Sequence, residues 1–214
     1  MTVQLTLSRW VTFVDWHGVL SRAPFWHTIL WNDRHPYHRE IDERTGELFR
    51  DGTLIDAWMR GNVSTTEVLA QIEVQLDRRA GEGFLARRLL ADCRDMPLAD
   101  ELTRTLYLLR AQAYIVIATD NADCFVAAAK GRRDLRFADG LLSSSDLGVL
   151  KAESPAAFFG PWLNTRGLGF GSAVLVDDNR DNCDAFESHG GAAIHVTSQE
   201  QAAAHLKALF ANRV

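Results

Sequence analysis

Four short segments place chemically capable side chains at the ends of apolar runs. The run 11–14 stops at Asp15, which is followed by Trp16, His17 and Gly18. The run 114–118 stops at Thr119, Asp120 and Asn121, and the run 173–176 at Asp177, Asp178 and Asn179. A shorter run at 140–143 is followed by Gly148, Val149, Leu150 and Lys151. A carboxylate nucleophile, a hydroxyl, an ammonium and a carboxylate pair on one edge suit phosphoryl transfer, which depends on positioning and charge neutralisation. The acidic group would hold one Mg²⁺, since hard oxygen ligands favour a hard cation. Taken singly, each residue has a plainer use. A strand-end Asp15 forms a turn or caps a helix, Thr119 is an N-cap candidate, Lys151 is a solvated lysine and Asp177 orients its own loop. They become a site only if one surface gathers them.

The elements that must do the gathering follow from periodicity. Near-continuous apolar strands separated by helical segments point to a parallel sheet covered on both faces. In open sheets of that kind, ligands bind beyond the carboxyl ends of the strands. A weaker run at 192–196 follows Gly190 and Gly191. Helical spacing is read at 98–110, where Leu98, Leu102, Leu106 and Leu109 align, and at 123–130, with Asp120 or Asn121 available as its cap. Further helices are read at 181–189, closed by Gly190, and at 199–212. Residues 21–92 contain no strand run. Helical stretches are suggested there at 24–32, 65–79 and 82–92, around a polar segment, 32–52, that crowds Arg34, His35, His38, Arg39, Arg44 and Arg50 together. The expected architecture is α/β: a Rossmann-like parallel-sheet core of residues 1–20 and 93–214, with an α-helical cap, 21–92, inserted after the first strand.

Composition bounds the possibilities. The chain has 214 residues and a net charge of -5, from 23 basic and 28 acidic side chains. A basic nucleic-acid surface is not expected from that balance. The 47% apolar and 24% charged shares are those of an ordinary globular protein. Cys93, Cys124 and Cys183 form no paired ligand motif, so a reduced, cytoplasmic setting is expected. No apolar stretch is long enough for a membrane helix, and the start of the chain reads as a strand and not a signal peptide. Nothing in the composition sets an oligomeric state.

The four segments, in their order, resemble the motifs of the haloacid dehalogenase (HAD) superfamily, specifically its members with a helical cap, and the resemblance covers nearly the whole chain. VTFVDWHGVL is similar to the family's first motif and IVIATDNAD to its second. FADGLLSSSDLGVLKAESPAAFF is similar to the third, and SAVLVDDNRDNCDAFESHGGAAIHV to the fourth. The resemblance implies that Asp15 is a nucleophile forming an aspartyl-phosphate that water then hydrolyses. It implies that Thr119, with the backbone of Asp120 and Asn121, holds phosphoryl oxygens, and that Lys151 neutralises charge on the nucleophile and phosphoryl group. Mg²⁺ would be bound by Asp178, an Asp15 oxygen and the backbone carbonyl of His17, with Asp177 and Asn182 supporting it. The implied substrate is a small phosphorylated metabolite.

The chain departs from the family at His17, where phosphatases carry a second aspartate as general acid and base. An imidazole can fill that role near neutral pH; alternatively it merely occupies the position in a slow site. Haloacid dehalogenases place a tyrosine there and lack the acidic pair, which Asp177 and Asp178 retain here. Phosphonoacetaldehyde hydrolases resemble the Asp15-Trp16-His17-Gly18 run but need a cap lysine. The lysines of this chain are Lys130, Lys151 and Lys207, none of them within 21–92. The leading expectation is Mg²⁺-dependent phosphomonoester hydrolysis. A phosphotransferase or mutase of the same fold, and a catalytically weak ligand-binding or regulatory protein, stand beside it. Arg34, His35, His38 and Arg39 are the sequence candidates for contacting a polar or anionic leaving group, or else a solvated patch.

Overall fold

The computed structural model describes residues 9–72 and 80–211. Five parallel strands form one sheet: β1 (Trp10–Val14), β2 (Ala113–Thr119), β3 (Gly140–Ser143), β4 (Ala173–Asp177) and β5 (Ala192–His195), in the spatial order β3-β2-β1-β4-β5. β1 lies at the centre, with Val14 in register with both Ile117 and Val176. Alternate residues of each strand serve opposite faces. Val11 and Phe13 pack with Phe158, Phe159, Leu163 and Phe186 on one side, while Val14, Ile115, Ile117 and Val176 join the larger cluster on the other. Burial on both faces is why these strands read as continuous apolar runs.

Between β1 and β2 the described chain is helical: α1 (His27–Leu30), α2 (His38–Leu48), α3 (Gly52–Met59), α4 (Thr65–Ile72), α5 (Phe84–Asp95) and α6 (Asp100–Leu109). The core helices are α7 (Asp123–Ala129), α8 (Ser144–Leu147), α9 (Pro155–Asn164), α10 (Arg180–Ser188) and α11 (Gln199–Ala211). Residues 73–79 of the expected 65–79 helix and Asn212 of the expected last helix lie outside the described residues.

Several local expectations change. The first helical stretch shrinks to His27–Leu30 because Trp26 before it takes a left-handed conformation, φ 55°, and is held there by its Nε1–H donating to Leu85 O at 3.0 Å. The polar segment 32–52 contains helix α2, whose buried Ile41, Thr45 and Leu48 form a narrow stripe among charged neighbours. α3 was likewise unread, although Asp51 caps it by accepting from Leu54 N at 3.0 Å. At α7 the N-cap position falls to Ala122, with no side-chain cap; Asn121 Oδ1 instead accepts from Ala122 N. A buried knot ties α1 to α5: Asp92 accepts from Thr28 N and Oγ1 and from Arg88.

Candidate active site

The sheet delivers the predicted residues to one place. Asp15 directly follows β1, its N–H extending the ladder to Val176 O at 2.9 Å. Thr119 ends β2 and Asp177 ends β4, so all three sit at carboxyl ends of adjacent strands. Lys151 reaches them from the loop after α8. Its Nζ donates to Asp15 Oδ1 at 2.7 Å and Asp177 Oδ2 at 2.6 Å, and the side chain is 1% exposed. This is a buried ammonium between two buried carboxylates. Burial works against its charge, but Asp15, Asp177 and Asp120 outweigh that and hold the Lys151 pKa above the ordinary lysine value.

The carboxylates crowd each other in turn. Asp15, Asp177 and Asp178 bring an oxygen each within 4.8 Å of one another. Burial pushes the Asp15 carboxyl up, against the pull of Lys151, and burial followed by the nearby Asp177 raises Asp178. One ammonium does not balance three carboxylates, so the all-oxygen donor set suits a further hard cation. Asp177 is already committed elsewhere: besides Lys151, it accepts from Asn179 N at 2.9 Å and from Asn182 Nδ2 at 3.1 and 3.2 Å. Asp178 stays exposed. The Asp15–Gly18 turn is pressed onto it. Gly18 has φ +80°, and a β-carbon there would lie 1.9 Å from Asp178 Oδ2, so only glycine fits.

His17 is exposed, and its side chain lines a cavity of about 440 Å³ shared with Asp120 and Asn121. Its ring is not part of the converging acidic group. Thr119 is buried, and Asn121 Nδ2 donates to its hydroxyl at 3.4 Å. The Asn121 N–H, expected to meet phosphoryl oxygens, donates to Ser144 Oγ at 2.9 Å. The Arg34, His35, His38 and Arg39 cluster is not brought to the cavity. His38 Nε2 contacts Leu30 O, Arg39 pairs with Glu43 on its own helix, and Arg34 and Arg39 are exposed.

Two supporting residues, Ser144 and His195, escaped the sequence reading, as did the side-chain role of Asp120. The Asp120 side chain accepts from Lys151 N at 3.0 Å, fixing the lysine loop, and burial raises its pKa against the pull of Lys151. Ser144 Oγ, besides accepting from Asn121, donates to Met59 O at 2.6 Å. His195 pairs with Asp177 in register and places Nε2 3.0 Å from Asp178 O. A run of three serines at a strand end was the available signal for Ser144; nothing in the sequence singled out His195. Cys183 is buried beneath the acidic pair, and burial pushes its thiol up to about 12. All three cysteines are free.

The inserted helices are clasped to the core beside this site. Arg60 Nε meets Glu153 Oε2 at 3.0 Å, and Thr65 N and Oγ1 donate to Asp123. Gly61 faces the Ser145 carbonyl, which a β-carbon would approach to 2.5 Å. Among the described residues, no helix is long and apolar enough to cross a membrane.

No family model and no curated protein matches the sequence. Solved structures do resemble it. A predicted HAD-like family hydrolase from Porphyromonas gingivalis superposes with a TM-score of 0.69 at 14% identity, over 95% of this chain and 98% of that one. A HAD family enzyme from Bacteroides thetaiotaomicron, solved with magnesium and inorganic phosphate, gives 0.60 at 15% identity, over 87% and 93%. The L-2-haloacid dehalogenase of Xanthobacter autotrophicus gives 0.63 at 19% identity, over 93% and 87%. The chain, a five-stranded parallel sheet with flanking helices, superposes on these structures over most of its length, and its fold is the HAD-like α/β fold.

Proposed function

We propose that the chain is a Mg²⁺-dependent phosphomonoester hydrolase acting on a small phosphorylated metabolite, with residues 21–92 as its cap. The observation that carries this reading is the buried Lys151 ammonium held between Asp15 and Asp177, with Asp178 beside them at the carboxyl edge of the sheet. Such a constellation places a carboxylate nucleophile next to a fixed positive charge in a site of low polarity, where that charge acts most strongly on a developing phosphoryl anion. The Asp15 carboxylate attacks phosphorus and the ester P–O bond breaks. The leaving oxygen takes a proton, a role given in this reading to His17, which borders the cavity. Water then attacks the aspartyl-phosphate, releasing phosphate and restoring Asp15. Asp15, Asp178 and the His17 carbonyl would hold Mg²⁺, with Asp177 and Asn182 behind them. The metal would supply charge neutralisation on the phosphoryl oxygens.

Other observations support hydrolysis of a phosphoester over the neighbouring chemistries. The acidic group suits a metal-dependent site, in line with the magnesium and phosphate of the Bacteroides structure. Lysine-dependent Schiff-base chemistry finds no support, since Lys130 pairs with Asp146 and Lys207 with Glu101, both away from the cavity.

The test is a panel of phosphomonoesters assayed with Mg²⁺ and with a chelator. Mg²⁺-dependent release of inorganic phosphate is expected, and its loss in Asp15→Asn. Equal, poor hydrolysis by wild type and Asp15→Asn would falsify the reading. His17→Ala should slow turnover, and His17→Asp should restore it if the position is an acid–base one. An unchanged rate in His17→Ala removes His17 from the proton transfer.

A further inference from the structure

The cavity beside the nucleophile is polar only at its floor. There it meets His17, Asp120 and Asn121. The wall supplied by the segment 24–59, between β1 and β2, is Pro24, Phe25, Phe49, Ile55 and Met59, and the core adds Trp16 and Met96. Among the described residues, Asp120 is the only acidic side chain in the lining, and no lysine or arginine joins it.

We propose that this space is a leaving-group subsite for an apolar alcohol of about the size of an aromatic ring. The proposal rests on the phosphoester hydrolase reading and names the substrate class for it. Three observations support it. The space is open while the clasp is shut: Arg60–Glu153 and Ser144–Met59 are both made, yet about 440 Å³ remains between insertion and core. That volume lies within the roughly 300–1,000 Å³ of pockets that enclose small organic ligands. The walls are also braced from behind. Phe25 packs on Trp58 with ring centroids 5.4 Å apart, and Trp16 is fixed between Phe125 and Met96 Sδ. The space is therefore preformed.

The chemistry of the lining then discriminates. A sugar or glycerol leaving group would surrender water at each hydroxyl with no side-chain partner on the insertion side, and an anionic group would meet Asp120 with no lysine or arginine to offset it. An apolar group gains by leaving water and meets aromatic faces and two adaptable thioethers, Met59 and Met96. The fixed polar end, at Asp15 and Lys151, holds the phosphate, and the apolar end selects what it is attached to.

The experiment uses the intact chain with Mg²⁺ and two non-hydrolysable probes, methylphosphonate and 2-phenylethylphosphonate, by calorimetry. The aromatic probe should bind at least about 10-fold more tightly, the return on burying a ring. Phe49→Asp and Ile55→Asp should each bring the two affinities to within about threefold of each other; Phe49 is 49% exposed, so its replacement leaves the packed core intact. Wild-type kcat/KM on 2-phenylethyl phosphate should exceed that on glycerol phosphate, two alkyl esters, by a similar ratio. Equal binding of the two probes, no binding of either, or equal kcat/KM on the two esters overturns the subsite. Selective probe binding without hydrolysis of either ester supports the subsite and overturns the hydrolase reading instead.

Discussion

The floor of the cavity, together with the charged site it adjoins, and the cavity's roof are built on opposite principles. The floor is a set of charges tied to each other. Lys151 bridges Asp15 and Asp177, Asn182 and Asn179 hold Asp177, and Asp120 holds the lysine loop. The roof is a set of apolar side chains on short helices and the turns beside them, Phe25 to Met59, held down at its edge by the Arg60–Glu153 ion pair and by contacts of Met59 and Gly61 with the Ser144–Ser145 segment. The difference teaches where each kind of change is felt. In the floor, every group is a partner of another, so removing one strands the rest. In the roof, changes are expected to alter what fits more than what reacts.

The largest expected effect is therefore in the floor. Lys151→Met leaves Asp15 and Asp177 facing each other without their cation. We expect destabilisation of about 3–5 kcal/mol in urea unfolding and a loss of turnover of about 10²–10³-fold. A stable, active Lys151→Met protein would break the comparison outright. Gly18→Ala comes next. The added methyl group meets the Asp178 carboxylate, so the Mg²⁺ concentration for half-maximal activity should rise by about 10-fold or more, with little change in the affinity for apolar phosphonates.

A third prediction moves to the insertion. His27 is 6% exposed and its Nδ1 has no hydrogen-bond partner among the described residues, with Asp92, Asp95, Arg88 and Arg132 as the charged groups around it. Burial, only partly offset by Asp92, lowers its pKa from the ordinary 6.5. The neutral ring is the folded form. Its contribution is complete above the unfolded value and is lost as pH falls below it towards the lowered folded value. Tm should therefore drop between about pH 7.5 and about pH 5.5, and drop less in His27→Leu. An identical drop in both proteins would place the acid sensitivity in the floor instead. The smallest effect belongs to the clasp. Arg60→Ala or Glu153→Gln should change KM by less than about threefold, and added salt should reproduce the change in wild type. A larger effect would mean that the exposed pair governs closure.

The floor was legible in the sequence because strands buried on both faces end abruptly. Asp15, Thr119 and Asp177 each close an apolar run, and the parallel sheet puts such ends side by side. The roof was not legible, because helical periodicity says which face is buried and not against what. Ile55 and Met59 lie on α3, a helix the sequence did not reveal, and Phe49 lies just past the end of α2. Charge drew attention to Arg34, His35, His38 and Arg39 instead. Arg39 is satisfied by Glu43 one turn away and His38 by Leu30 O, contacts that spacing alone does not separate from a ligand site. The surroundings of Asn121 were hidden for a similar reason: its backbone N–H donates to a serine 23 positions later.

That serine has one proton, and the direction in which it points gives the site a polarity. Ser144 passes its hydrogen to Met59 O and so turns a lone pair towards Asn121 N–H, making a one-way chain from the end of β2 to the end of α3. Hydrogen bonds in such a chain strengthen one another. Were Met59 to draw its carbonyl away, the hydroxyl would become a poorer acceptor and its bond to Asn121 N–H would weaken. A single oxygen thus joins the end of α3 to the loop that follows Thr119.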